Sequence, residues 1–164
     1  MNIFENYLSM VHELTLNNRD SLKLKNLDNL DNVNLEIPPD EYDFHLSCNI
    51  SLVLAKTNKL NPKDLASKFK SLFTNKINHF EKVEVAGPGF LNIKLSKVAM
   101  TKNIISILDF NENYGSKKSN DSYNIEFVSA NPTGPMHVGH CRGAIYGDVL
   151  ANLLKFKGNK VTKE

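Results

Sequence analysis

Ile3, Phe4, Tyr7, Leu8, Val11 and Leu14 recur at the three-and-four spacing of an amphipathic helix, which predicts a helix over residues 2–16. Residues 20–32, rich in Asn, Asp and Leu, read as a short helix or a loop. Val33, Leu35 and Ile37 alternate as a short strand does, and Pro38-Pro39 ends it. The apolar run after Phe44 reads as a core helix from about Leu46 to Lys56. Asn61-Pro62-Lys63-Asp64 supplies a capping side chain, a proline for the first helical position and an acid for the first turn. The helix it opens carries Leu65, Phe69, Leu72 and Phe73 on one face. Lys82 to Ala86 and Phe90 to Leu95 read as strands joined through Gly87-Pro88-Gly89 in a hairpin. Ser96 then caps a last helix through Leu108, with Val98, Ile104, Ile105 and Leu108 expected on its buried side.

These elements predict an α+β domain over residues 1–112, a small antiparallel sheet with helices. The polar stretch NENYGSKKSNDS, residues 111–122, follows it, and residues 113–122 are expected to be a linker. Beyond it the character changes. A strand from Tyr123 to Val128, a loop containing Pro and Gly, and a long helix from about Val138 give the order in which a nucleotide-binding α/β domain begins. Residues 123–164 therefore read as the first strand–helix unit of a Rossmann-like α/β domain. One strand and one helix cannot cover both faces of a parallel sheet, so this segment is expected to be marginal alone or to pack back on the first domain.

Composition narrows the classes without choosing among them. The hydrophobic and charged fractions, 41% and 23%, are ordinary for a globular chain. No apolar run approaches the ~20 residues that span a bilayer. The start, MNIFENYLSMVHEL, carries Glu5 and lacks a basic n-region and an apolar core, so no membrane association and a cytoplasmic location are expected. Net charge is only +2, so the sum does not announce a nucleic-acid binder. Lys56, Lys59, Lys63, Lys68, Lys70, Lys76 and Lys82 nevertheless crowd one half of the first domain, as phosphate contacts do. Cys48 and Cys141 fit no metal-ligand spacing, and a disulfide between them is not expected in a reducing compartment. Cys48 lies in an apolar stretch and reads as a small buried hydrophobe.

The chemistry concentrates in EFVSANPTGPMHVGHCRGAIYGDVLANLLKFKG. A strand that feeds a helix leaves backbone N–H groups at the helix N-terminus, which attract phosphate. Pro132, Gly134 and Pro135 restrict the approach, and Gly139 removes a side chain where a flat base could lie. His137 and His140, three apart, share one face at the helix start and could donate to phosphate oxygens as charge builds there. The same pair could instead hold a metal, but no third ligand stands nearby in sequence, so no metal site is assigned.

His137-Val138-Gly139-His140 resembles the H-I-G-H signature of class I aminoacyl-tRNA synthetases. The run Glu126 to Pro135 before it, and Arg142-Gly143-Ala144 and Gly147-Asp148 after it, resemble arginyl-tRNA synthetases in particular. Val83 to Asn92 is similar to the N-terminal domain of that family. The resemblance covers most of the chain and is weakest over residues 17–36.

The resemblance implies an arginine–tRNA ligase that uses ATP and Mg²⁺ to activate L-arginine and transfers it to tRNA-Arg, and a monomer is expected. It makes His137, Gly139 and His140 the ATP-binding residues, with His137 and His140 catalytic in adenylate formation. It makes Glu126 the partner of the substrate guanidinium and puts Ser129 and Asn131 beside the bound amino acid. A carboxylate facing a guanidinium forms charge-assisted bidentate bonds that separate Arg from Lys. Tyr146 and Asp148 are read as structural. The first domain is implied to touch the outer corner of the tRNA, where Tyr42, Phe44 and Asn49 are candidates for stacking and hydrogen bonding. Tyr42-Asp43-Phe44 departs from the Gly-Asp-aromatic pattern of the family in having Tyr42 for the glycine. Lys94-Leu95-Ser96-Lys97 resembles the lysine-rich catalytic loop of the class but precedes the ATP signature, and is read as a strand end and a helix cap. Residues 1–164 are expected to be inactive alone. The alternative is a truncated, non-catalytic tRNA-binding protein.

Overall fold

A computed structural model of the chain describes residues 2–131 and 134–164; Pro132 and Thr133, which the sequence places in the loop before the signature, lie outside the described residues. The chain divides into two compact units, Asn2–Asn111 and Glu112–Glu164.

The first unit opens with α1 (Ile3–Asn17), whose Asn2 side chain accepts a hydrogen bond from the Glu5 N–H at 2.9 Å. Tyr7 and Val11 are buried, and Ile3, Phe4, Leu8 and Leu14 pack partly against the same core. Residues 20–32 form turns ending in a short 3-10 helix, Leu30–Asn32. Strand β1 (Leu35–Glu36) follows, buried at Val33 and Leu35, while Ile37 is 72% exposed beside the proline that ends the extension.

The expected helix from Leu46 to Lys56 is two elements. Leu46–Cys48 is a strand, β2, and Ile50–Asn58 is helix α2. An unbroken apolar run does not reveal its period, and here the period changes at Asn49. The Asn49 amide accepts from the Asn34 N–H at 2.9 Å and donates to the Asn32 carbonyl at 3.3 Å, pinning the bend to the entry of β1. Helix α3 (Pro62–Lys76) starts as its cap predicts, with Asn61 accepting from the Lys63 and Asp64 N–H groups. Leu65, Phe69 and Phe73 on its inner face are buried. Strands β3 (Phe80–Ala86) and β4 (Phe90–Leu95) form the hairpin, and all four strands pair antiparallel in the order β1-β2-β4-β3.

Alternation along β4 sends Leu91, Ile93 and Leu95 into the core. The register sets Asn92 beside Ser47 and Glu84, and Ser47 beside Glu36, so these four share the opposite face.

Helix α4 (Lys97–Phe110) is capped by Ser96, which accepts from the Ala99 N–H, so the Lys94–Lys97 string is a strand end and a cap. The expected burial of Val98, Ile104, Ile105 and Leu108 is overturned: they are 65%, 54%, 51% and 71% exposed. The helix docks through buried Ala99 and partly buried Met100, and through the Asn103 amide, which donates to the Tyr7 hydroxyl at 3.1 Å. At 3.6 residues per turn those three positions lie roughly opposite the apolar set. Choosing the inner face by hydrophobicity alone picked the wrong side.

The second unit contains β5 (Ser122–Ile125), α5 (Val138–Phe156) and β6 (Lys160–Lys163), with the two strands parallel. This β–α–β unit is the start of a Rossmann-like α/β fold. Two more rungs, the Glu164 N–H to the Ile125 carbonyl and the Phe127 N–H to the Glu164 carbonyl, carry the pairing past β5. Val128 at φ +63° ends it short of the expected length, in a conformation that a β-branched residue rarely adopts. Only Gly147 and Ala151 of α5 are fully buried, because one helix covers one face of two strands. Gly158 adopts φ +85°, and a Cβ there would stand 2.0 Å from the Lys117 carbonyl oxygen, so residues 117–118 run hard against the α5–β6 turn. Among the described residues no helix is long and apolar enough to cross a membrane.

Both cysteines are free, Cys48 buried and Cys141 exposed. Burial without a charged partner pushes the Cys48 thiol up to about 12. A thiol-labelling time course on the native protein is therefore expected to modify Cys141 alone, with Cys48 reacting only after denaturant is added. Labelling of both at one rate would contradict the buried core around β2.

Candidate active site

The site is assembled on the connection from β5 to α5, at the carboxyl end of a parallel strand, where open α/β sheets bind ligands. At the strand end, Glu126 accepts a hydrogen bond from the Ser129 hydroxyl at 2.5 Å. The chain returns in a tight turn that closes with the Ala130 N–H on the Val128 carbonyl at 2.7 Å. Glu126, Ser129 and Asn131 are all exposed. A carboxylate oriented by one hydroxyl retains acceptor positions for a further donor.

The other end of the connection is His137, the N-cap of α5. Its Nδ1 accepts from the Gly139 N–H at 3.1 Å, and its own N–H donates to Nδ1 of His140 at 3.4 Å. The His140 and Cys141 N–H groups donate to the His137 carbonyl at 2.9 and 3.2 Å. The helix start that the sequence left open for phosphate is thus largely satisfied from within. What faces outward instead follows from the rings. A neutral imidazole whose Nδ1 accepts carries its proton on Nε2, so each histidine presents one Nε2–H donor. The two rings stack with centroids 3.9 Å apart and planes 24° apart.

A Cβ at Gly139 would fall 2.9 Å from Cε1 and 3.1 Å from Nδ1 of His137, so the missing side chain makes room for the His137 ring. Tyr146 is 72% exposed on α5. Asp148 bonds Lys163 of β6, which also donates to Asn152 at 3.1 Å, tying the helix to the strand. The hydrogen bond from Lys163, reinforced by its charge, holds the Asp148 carboxyl below the usual carboxylate range. The structure therefore brings the candidate residues together as two pairs, Glu126 with Ser129 and His137 with His140, at the two ends of one loop. Asn131 lies in that loop.

A second surface lies on the first unit. The outer face of its sheet forms a groove of about 330 Å³, lined by Tyr42, Ser47, Phe90 and Asn92 among others. Asn92 is 5% exposed, and its side-chain amide makes no hydrogen bond among the described residues. Its amide atoms are not among the fully buried polar groups left without a partner, so solvent in the groove reaches them. The neighbouring row holds Lys82 over the Phe44 ring at 5.4 Å and the Asp43–Lys94 ion pair at 2.5 Å. Lys56, Lys59, Lys63, Lys68, Lys70, Lys76 and Lys82 are all exposed on α2, α3 and β3 and the turns beside them. Tyr42 takes up its turn without a positive φ, the Phe44 N–H reaching the Tyr42 carbonyl at 2.8 Å, so the missing glycine is not needed. Asn49, a sequence candidate for base contact, is occupied in holding the β1–β2 connection. Phe90 and Asn92 were missed as candidates. Their signal was present: in FLNIKL the polar and aromatic positions Phe90, Asn92 and Lys94 alternate with the buried ones.

Both units of the chain match known proteins. Residues 13–95 match the family model described as the arginyl tRNA synthetase N terminal domain, and residues 103–164 match tRNA synthetases class I (R), catalytic domain. The arginine–tRNA ligase of Pelagibacter ubique is 45% identical over 168 residues, covering 100% of this chain and 29% of the relative. That of Bartonella henselae is 46% identical over 168 residues, with 100% and 28% covered. The chain thus spans less than a third of the length of these curated relatives. Among solved structures, arginyl-tRNA synthetase from Plasmodium falciparum matches with TM-score 0.66 at 18% identity, covering 98% of this chain and 30% of that one. Arginyl-tRNA synthetase from Thermus thermophilus matches with TM-score 0.59 at 22% identity, covering 80% and 21%, so these two likenesses speak for the fold. With both of its units matched in order, the chain belongs to the arginyl-tRNA synthetase family.

Proposed function

We propose that this chain carries the tRNA-contacting domain and the first part of the ATP and arginine sites of an arginine–tRNA ligase. The observation that carries the reading is the β5–α5 connection, with an oriented carboxylate at one end and two stacked histidine donors at the other. Glu126 receives the arginine guanidinium, and Ser129 holds that carboxylate in place while Asn131 lies beside the amino acid. His137 and His140 direct their Nε2–H donors at the phosphates of ATP. As the arginine carboxylate attacks the α-phosphorus and pyrophosphate departs, negative charge grows on the phosphoryl oxygens, and donors fixed by backbone bonds stabilise it without reorganising. The activated arginine then passes to the tRNA.

Bound Mg²⁺ would neutralise the polyphosphate. Such an ion is held chiefly by phosphate oxygens and water. Residues 1–164 alone are proposed to be inactive, and the enzyme to be cytoplasmic and monomeric. The deciding experiment is aminoacylation of tRNA-Arg with L-arginine by the native gene product that contains this chain. Charging of arginine supports the ligase. Salt-sensitive tRNA binding without charging by any amino acid would point to a non-catalytic tRNA-binding protein instead.

In the same reading the sheet groove takes an unstacked tRNA base, with Phe90 or Tyr42 as the stacking platform and the Asn92 amide reading the base edge. Base–aromatic stacking is worth about 1–3 kcal/mol. Phe90→Ala is thus expected to weaken tRNA binding roughly tenfold in a filter-binding titration, a loss equivalent to about 1.4 kcal/mol. Asn92→Ala is expected to weaken it less and to relax discrimination among bases at one position. Unchanged binding in both variants would remove the groove from the interface.

A further inference from the structure

The contact between Gly147 and Phe127 lies outside every role assigned so far. A Cβ built on Gly147 would stand 2.3 Å from Cγ, 2.4 Å from Cβ and 2.8 Å from Cδ1 of Phe127. Those are atoms at the root of the side chain, so no rotamer change relieves the overlap and the backbone of residues 126–128 would have to move. That backbone has little freedom. The Phe127 N–H is committed to the Glu164 carbonyl at 3.1 Å, and Val128 next to it is held at φ +63°. Phe127 also directly follows Glu126, whose carboxylate is bonded by Ser129.

We infer that Gly147 is a positioning residue for Glu126: by letting the Phe127 side chain lie directly on α5, it sets where the guanidinium-binding carboxylate stands relative to that helix. The same helix begins at the His137–His140 pair, so one rigid element references both halves of the site. A glycine in mid-helix costs about 1 kcal/mol relative to alanine, a cost that the close approach explains. The inference rests on the ligase reading and goes beyond it, because Gly147 touches neither substrate in that reading. Gly143, one turn earlier on α5, has nothing among the described residues within 4 Å of the position its Cβ would take and serves as the control.

The test is steady-state aminoacylation by the native gene product, with the KM for arginine and the KM for ATP measured separately. Gly147→Ala is expected to raise the arginine KM about tenfold and leave the ATP KM within about twofold, as displacement of one ligand's contact does. Gly143→Ala should change neither. Phe127→Ala, which cannot overpack, should raise the arginine KM in the same selective way and decides the matter if Gly147→Ala fails to fold. Equal effects on both KM values, or none, would overturn the positioning role. A native product that charges no arginine is a different result and overturns the ligase reading itself.

Discussion

Glu126→Gln is expected to raise the KM for arginine in tRNA charging about a hundredfold, corresponding to about 2.7 kcal/mol. The substitution keeps the shape and the acceptor oxygen that Ser129 bonds, but it removes the charge that the guanidinium answers. Removing one partner of a hydrogen-bonded charge pair typically costs about 2–5 kcal/mol, much of it because the other charge is left without its counterion. Ser129→Ala tests the supporting role separately. It leaves the carboxylate charged and frees its orientation, so a rise of about five- to tenfold is expected, in line with the net worth of about 1 kcal/mol of an ordinary intramolecular hydrogen bond. The ATP KM should hold in both variants. If Glu126→Gln charges arginine as the native enzyme does, the guanidinium partner lies elsewhere and the β5 end is only a strand terminus.

His137→Asn should lower kcat for arginine activation about 100- to 1,000-fold while leaving thermal stability nearly unchanged. The reason for Asn is the dual use of His137. Its Nδ1 caps α5 by accepting from Gly139, and its Nε2–H faces outward. Asn is among the preferred N-cap residues and can replace the first function, but its shorter side chain stops its amide N–H donors one bond short of the Nε2 position. His137→Ala removes both, so it should show the same loss of kcat together with about 1 kcal/mol of lost stability. Thermal melts beside single-turnover assays separate the two. Equal kcat loss without any stability difference between the Asn and Ala variants would mean that the side-chain cap contributes nothing. Full activity in His137→Asn would remove the histidine from the chemistry.

The sequence by itself determined the parts whose signals are local. The cap at Asn61-Pro62, the Gly87-Pro88-Gly89 hairpin and the Ser96 cap depend on neighbours a few residues away, and each element began where its cap stood. The loop-and-helix signature was legible for the same reason, because the spacing of His137 and His140 on one helical turn already makes them neighbours. Tertiary structure decided what depends on distant partners. Leu46–Cys48 became a strand because β1 and β4 flank it, a fact written in distant partners, in the register of Leu35 with Cys48 and Leu46 with Ile93. The inner face of α4 was chosen by Ala99 and the Asn103–Tyr7 bond, against the hydrophobicity of the helix itself. Whether a polar residue binds or braces was equally a tertiary matter. Asn49 stood out as a candidate for base contact and Asn92 did not, yet Asn49 is consumed by the turn at Asn34 while Asn92 lines the groove. Gly147 looked like one more small residue on α5 until the chain folded Phe127 onto it, because a close approach exists only between two elements and not within either one.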